Sequence, residues 1–187
     1  MSAASAPPSG GSGRPAPRPV RPSRRSWGWH RLSDEWAARV VAAAGIHPGE
    51  LVLDLGAGDG ALTAPLLAAG ARVVAVELHP ARAARLREKF PQVTVVHADA
   101  ATLRLPGRPF RVVASPPYAR TAPLLRLLLA PGSRLTAADL VLQRAAAQRY
   151  ATRRARGFRF AVGLALPRRA FRPPPQVDSA VLVIRRV

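Results

Sequence analysis

Three short stretches of this sequence bring together residue types able to do chemistry. The first is Ser115-Pro116-Pro117-Tyr118. Its two prolines fix φ and remove two N–H donors, leaving local carbonyls to accept hydrogen bonds. An exocyclic amino group about to be alkylated needs such acceptors, which aim its lone pair at the electrophile without a strong base. Tyr118 adds a ring able to stack on a base swung out of its helix. The second stretch is Leu53-Asp54-Leu55-Gly56-Ala57-Gly58-Asp59-Gly60. Glycines permit a tight turn and close backbone approach to a ligand, and a helix start just beyond would present free N–H groups. Read loosely, Gly56-x-Gly58-x-x-Ala61 also fits a dinucleotide fingerprint. The third is a pair of acids. Glu77 stands 17 residues past Gly60, and Asp99 lies in His97-Ala98-Asp99-Ala100. A carboxylate at the first position can accept from two ribose hydroxyls, and one at the second from the exocyclic amine of an adenine. Either acid could instead cap the segment that follows it.

The elements that must position these groups alternate along the chain. Strands are expected over Leu51–Leu55, Arg72–Glu77, Val93–His97, Phe110–Ala114 and Leu140–Leu142, with helices over Leu62–Ala69 and Arg82–Phe90. Apolar strands without period-two alternation, separated by helices, imply a parallel sheet covered on both faces. Phe160–Leu166 and Ala180–Ile184 read as two further strands around the Pro-rich Arg172–Gln176, and they should form an antiparallel edge. In such sheets ligands bind at the carboxyl ends of the strands, near the topological switch point. The glycine loop, Glu77, Asp99 and Ser115 all fall at strand ends. A glycine loop, a ribose acid and an adenine acid at successive strand ends fit S-adenosylmethionine better than NAD.

With 187 residues, 48% of them hydrophobic, the chain has room for one core. No apolar stretch approaches the length of a membrane span. The chain has no cysteine, which excludes disulfides and thiolate metal sites, and His30, His47, His79 and His97 share no ligand spacing, so no metal is expected. Lys and Arg number 29 against 10 Asp and Glu, for a net charge of +19. Only Lys89 is a lysine, as codon bias would produce, but codon bias cannot create an excess of bases over acids. The charge favours a polyanionic partner. Arg144, Arg149, Arg153, Arg154, Arg156 and Arg159 form a run without an acid that should begin on a helix and meet nucleic-acid phosphates. Residues 1–26 hold six prolines, five arginines and no acid, and read as a disordered basic arm ahead of a catalytic domain over 27–187.

Taken together, these residues resemble the class I S-adenosylmethionine-dependent N6-adenine methyltransferases, whose motif is Asn/Asp/Ser-Pro-Pro-Tyr/Phe. Within them the chain is similar to the ribosomal RNA adenine dimethylases, the Erm resistance methyltransferases and their KsgA relatives. Gly28-Trp29-His30-Arg31-Leu32, Val141-Leu142-Gln143-Arg144, Leu166-Pro167-Arg168-Arg169-Ala170-Phe171 and Pro173-Pro174-Pro175-Gln176-Val177-Asp178-Ser179-Ala180 carry the closer match. The resemblance implies a Rossmann-like α/β fold with a mostly parallel sheet. It implies that His30 and Leu32 contact the cofactor, Gly56 and Gly58 line it, Glu77 holds its ribose and Asp99 its adenine. Ser115 and Pro116 would face the methyl donor and the target amine, with Tyr118 and Phe171 on the base. Ser115 stands where the dimethylases usually have Asn, Trp29 and Arg31 replace Gln and Phe, and the family's C-terminal helical domain is expected to be absent. The implied function is methylation of adenine N6 in 23S ribosomal RNA of the large subunit, conferring macrolide-type resistance, by a cytoplasmic monomer away from membranes. A DNA adenine methyltransferase and a catalytically weak RNA-binding protein on the same fold remain open alternatives.

Overall fold

The computed structural model describes residues 30–187. The expected basic arm over 1–26, and the Gly28-Trp29 part of the N-terminal motif, lie outside the described residues, as does the side chain of Tyr118.

The chain opens with β1 (Arg31–Leu32) and α1 (Asp34–Ala44), then alternates through β2 (Leu51–Leu55), α2 (Thr63–Ala68), β3 (Arg72–Glu77), α3 (Pro80–Lys89) and β4 (Thr94–His97). β5 (Phe110–Ala114) follows without a crossover helix, and α4 (Thr121–Leu128) leads to β6 (Leu135–Gln143). α5 (Arg144–Ala151), β7 (Phe158–Leu166), β8 (Phe171–Arg172) and β9 (Ser179–Arg186) complete it. Seven strands form one sheet in the order β4-β3-β2-β5-β6-β9-β7. The first five are mutually parallel, and β9 runs antiparallel to both β6 and β7.

The expected alternation is therefore present, with differences that have physical causes. Val93 is buried but lies outside the ladder, so β4 starts one residue later than its apolar run. β6 extends back to Leu135 because Leu135, Ala137 and Ala138 pair as the apolar Leu140–Leu142 do, with Thr136 at an irregularity in the register. α3 begins at Pro80, whose fixed φ suits a first helical turn. Of the two late strands only β7 is a true edge, since β9 is inserted between it and β6.

Both faces of the sheet are covered. Val40, Leu66, Leu86 and Phe90 from the α1–α3 side pack over Val52, Val73 and Val113. Leu124, Leu128, Ala147 and Tyr150 from α4 and α5 pack over Leu53, Leu55, Val112 and Leu140 on the other side. Burial from both sides explains why β2 and β5 are apolar at every position but one, Asp54 and Arg111 being the exceptions. The strand order reverses between β2 and β5, so their carboxyl ends diverge and open a crevice there. No helix among the described residues is long and apolar enough to cross a membrane.

Candidate active site

A cavity of about 270 Å³ fills that crevice, and all four strand-end groups reach it: Gly56 and Gly58 after β2, Glu77 at the end of β3, Asp99 after β4 and Ser115 after β5. The glycine loop is built by backbone geometry. Gly56 turns the chain at φ 79° and Gly58 at φ 60°, in the left-handed region that other residues rarely adopt. A Cβ on Gly56 would reach 3.7 Å from Pro117 Cδ and 3.8 Å from the Pro116 Cα, so the loop lies directly against the Pro-Pro segment. The expected helix start is present within a residue, α2 beginning at Thr63 with Leu62 as its N-cap. Ala61 and Leu62 line the cavity, while the turn before them is fastened to Glu77 through the Gly58 N–H.

Glu77 is buried, and both its oxygens are already engaged. Oε2 accepts from the Gly58 N–H and Oε1 from the His79 N–H, each at 2.8 Å. A carboxylate offers about four lone-pair directions, so two remain for ligand hydroxyls. Asp99 does cap the segment after it, accepting from the Ala101 N–H through Oδ1 at 2.9 Å, and it lines the cavity as well. Its Oδ2 stands 3.2 Å from Nη1 of Arg120, across the cavity mouth. Capping and ligand binding are thus compatible at both acids.

Ser115 is half-buried and Pro116 buried, both in the cavity wall. The Pro117 carbonyl is taken by the Arg120 N–H at 2.8 Å, closing the short 3-10 turn Tyr118–Arg120. Phe171 is fully buried on the far wall. It is held there by a small antiparallel ladder in which Leu32 pairs with Phe171 and Arg31 with Arg172. The ladder is extended by Ser33 N–H to the Ala170 carbonyl and by His30 Nδ1 to the Pro173 carbonyl, both at 2.8 Å. His30 and Leu32 therefore line the cavity and also pin the segment that carries Phe171.

Among the cavity residues not singled out as site residues from sequence, Asp54 is the most deeply buried acid. Asp54 in β2 is 1% exposed and accepts from the Thr63 hydroxyl at 2.6 Å. Burial pushes its carboxyl up to about 7; the Thr63 hydrogen bond opposes the rise and the nearby Glu77 charge adds to it. The available signal was an acid inside an otherwise apolar strand.

The polar groups suit a particular ligand. Asp54, Asp59, Glu77 and Asp99 line this cavity together with Arg31, Arg82 and Arg120, and Arg120 is paired with Asp99 and Arg85 with Asp59. The remaining acceptor positions of Glu77 and Asp99 suit a ribose and an exocyclic amine. The residues present therefore fit S-adenosylmethionine, whose sulfonium is cationic.

Comparison with known proteins agrees. The family described as "Ribosomal RNA adenine dimethylase" matches residues 22–187. The small-subunit ribosomal RNA methyltransferase A of Thermosynechococcus vestitus is 36% identical over 184 residues, covering 87% of this chain and 69% of the relative. The mycinamicin-resistance protein MyrB of Micromonospora griseorubida is 38% identical over 158 residues, covering 80% of this chain and 50% of MyrB. The crystal structure of the 23S rRNA methyltransferase ErmE superposes with a TM-score of 0.74 at 33% identity, covering 83% of this chain and 69% of that one. The chain thus spans about half to two thirds of the length of these relatives.

Proposed function

This chain belongs to the ribosomal RNA adenine dimethylase family, and from that premise we propose that it methylates N6 of an adenine in 23S ribosomal RNA, protecting the ribosome from macrolide-type antibiotics. The observation that carries the chemistry is the convergence of four successive strand ends on one cavity walled by Ser115, Pro116 and Phe171. S-adenosyl-L-methionine, the cofactor of this fold and family, supplies an electrophilic methyl group when bound.

This chain's own residues do the rest. Glu77 accepts from the ribose hydroxyls while its other lone pairs keep the Gly58 loop in place. Asp99 takes the adenine amine of the cofactor, and the backbone around Gly56 and Gly58 lets it lie close. His30 and Leu32 close the cavity from β1. Ser115 Oγ and the carbonyls of Ser115 and Pro116 accept from the target amine, turning its lone pair toward the methyl. Tyr118 and Phe171 hold the target base flat. The proton lost by the alkylated amine leaves after transfer, because a positively charged amino nitrogen is strongly acidic and needs no dedicated base.

The large-subunit reading is supported by the similarity to ErmE and MyrB. A small-subunit target is the second reading, supported by the similarity to the methyltransferase A of Thermosynechococcus vestitus. Incubating the protein and cofactor with separate deproteinised 23S and 16S RNA, then mapping modified nucleotides by mass spectrometry, decides between them. The proposal expects modification of 23S RNA and a raised macrolide tolerance in a susceptible host. Modification confined to 16S RNA would replace it with the second reading.

A further inference from the structure

The ladder that seats Phe171 has an inner and an outer face. Residues directly opposite in an antiparallel pair point to the same side. Leu32 and Phe171, paired in register, turn inward and are both 2% exposed. In the neighbouring pair Arg172 is exposed, whereas Arg31 is half-buried and also borders the cavity. Like charges directly opposite destabilise a ladder, and a single exposed carboxylate, Asp34, serves this pair through Arg31. Arg172 is exposed and has no acid partner among the described residues, and the same holds for Arg169 in the adjoining 3-10 turn. Arg168 is spent differently: its Nε donates to the Pro175 carbonyl and its backbone N–H to Asp178. From 140 to 177 the sequence holds nine arginines and no acid.

We propose that Arg172 and Arg169 clamp the phosphates of the RNA strand beside the flipped base, with the outer face of the β1–β8 ladder as the docking surface. The inference rests on the RNA reading above and says where, relative to Phe171, the strand lies. Guanidinium groups bind phosphate bidentately and give up their hydration more readily than ammonium groups. Placing two of them within one residue or two of the base-holding ring ties backbone position to base position, which is how phosphate contacts fix register.

The test is the salt dependence of binding to a fluorescein-labelled RNA stem-loop with one unpaired loop adenosine. Each phosphate contact on a single strand contributes about 0.7 to the slope of log affinity against log salt. The double variant Arg169→Gln/Arg172→Gln should flatten the slope by about 1.4, while Arg169→Lys/Arg172→Lys retains it. Arg72→Gln/Arg108→Gln, at the opposite ends of the strands, should leave the slope unchanged. Thermal unfolding checks folding, and if the double variant unfolds, Arg172→Gln alone should show about half the change. Equal flattening by the distal pair, or none by the ladder pair, overturns the clamp. A wild-type protein that does not bind RNA at all overturns the RNA reading itself.

Discussion

At the scale of single residues the account turns on acids that serve both the fold and the ligand. Removing Glu77 leaves two ribose hydroxyls without a charged acceptor and frees the Gly58 and His79 N–H groups. Glu77→Ala should therefore weaken cofactor binding by about 1–3 kcal/mol in calorimetry; unchanged affinity in a folded variant would remove Glu77 from the site. Asp54 gives a pH signature. Its folded carboxyl titrates at about 7 against an ordinary 3.8, so between those values the folded state binds more protons than the unfolded chain. Stability contributed by the protonated form is complete below the lower value and is lost as pH rises through the upper one, by at most on the order of 4 kcal/mol. Asp54→Asn should flatten that decline in denaturant titrations. A cationic cofactor favours the ionised carboxylate, so wild-type affinity should rise from pH 6 to pH 8 and the Asn variant should lose the rise. Ser115 tests the reacting centre. If its Oγ accepts from the amine chiefly during transfer, Ser115→Ala lowers turnover by about tenfold to a thousandfold with little change in cofactor affinity. A strong gain from Ser115→Asn, with Ser115→Ala equal to wild type, would mark the natural site as impaired.

At the scale of elements, the parts legible in the sequence were those set by burial. β2, β3 and β5 are covered on both faces, so their apolar runs match the observed strands end for end. The β1–β8 ladder was not legible, because a pair of two-residue strands more than a hundred residues apart leaves no periodic trace. α2 was legible to within a residue at each end, Leu62 and Ala69 serving as its caps. Gly60 belongs to packing rather than to the ligand: at φ 82°, a Cβ there would stand 2.4 Å from the Phe90 ring. Gly60→Ala should cost about 1–3 kcal/mol in urea unfolding. α5 does begin the arginine run, yet its members differ. All of them are exposed, but Arg149 and Arg153 lie over the Tyr150 ring at 5.3 and 4.8 Å, while Arg154, Arg156 and Arg159 do not. Neutralising those last three should reduce the RNA salt slope by about 2; an unaltered slope would take the turn after α5 and the start of β7 off the RNA face.

At the scale of the whole molecule the two halves divide the work by charge. Residues 30–99 hold eight of the ten acids, and residues 100–187 hold seventeen arginines against two acids. The first half builds β2, β3 and β4 with their strand-end acids, which on the proposed function accept from the cofactor. The second half builds β5, β6, β7 and β9, with Phe171 and most of the exposed arginines, which the proposal turns toward the RNA. The two acids of the second half are both committed. Asp139 is buried against Arg185 at 2.9 Å, and Asp178 caps the Arg168 turn. Ser115 lies at the boundary, after the strand next to the switch point, where methyl donor and base must meet. The most direct test supplies the protein with ribosomal RNA and cofactor carrying an isotopically labelled methyl group, digests the RNA to nucleosides and identifies the labelled one. The account predicts label in N6-methylated adenosine, lost with Ser115→Ala. Label on another base or another adenine nitrogen, or none from a protein that binds the cofactor, would contradict it.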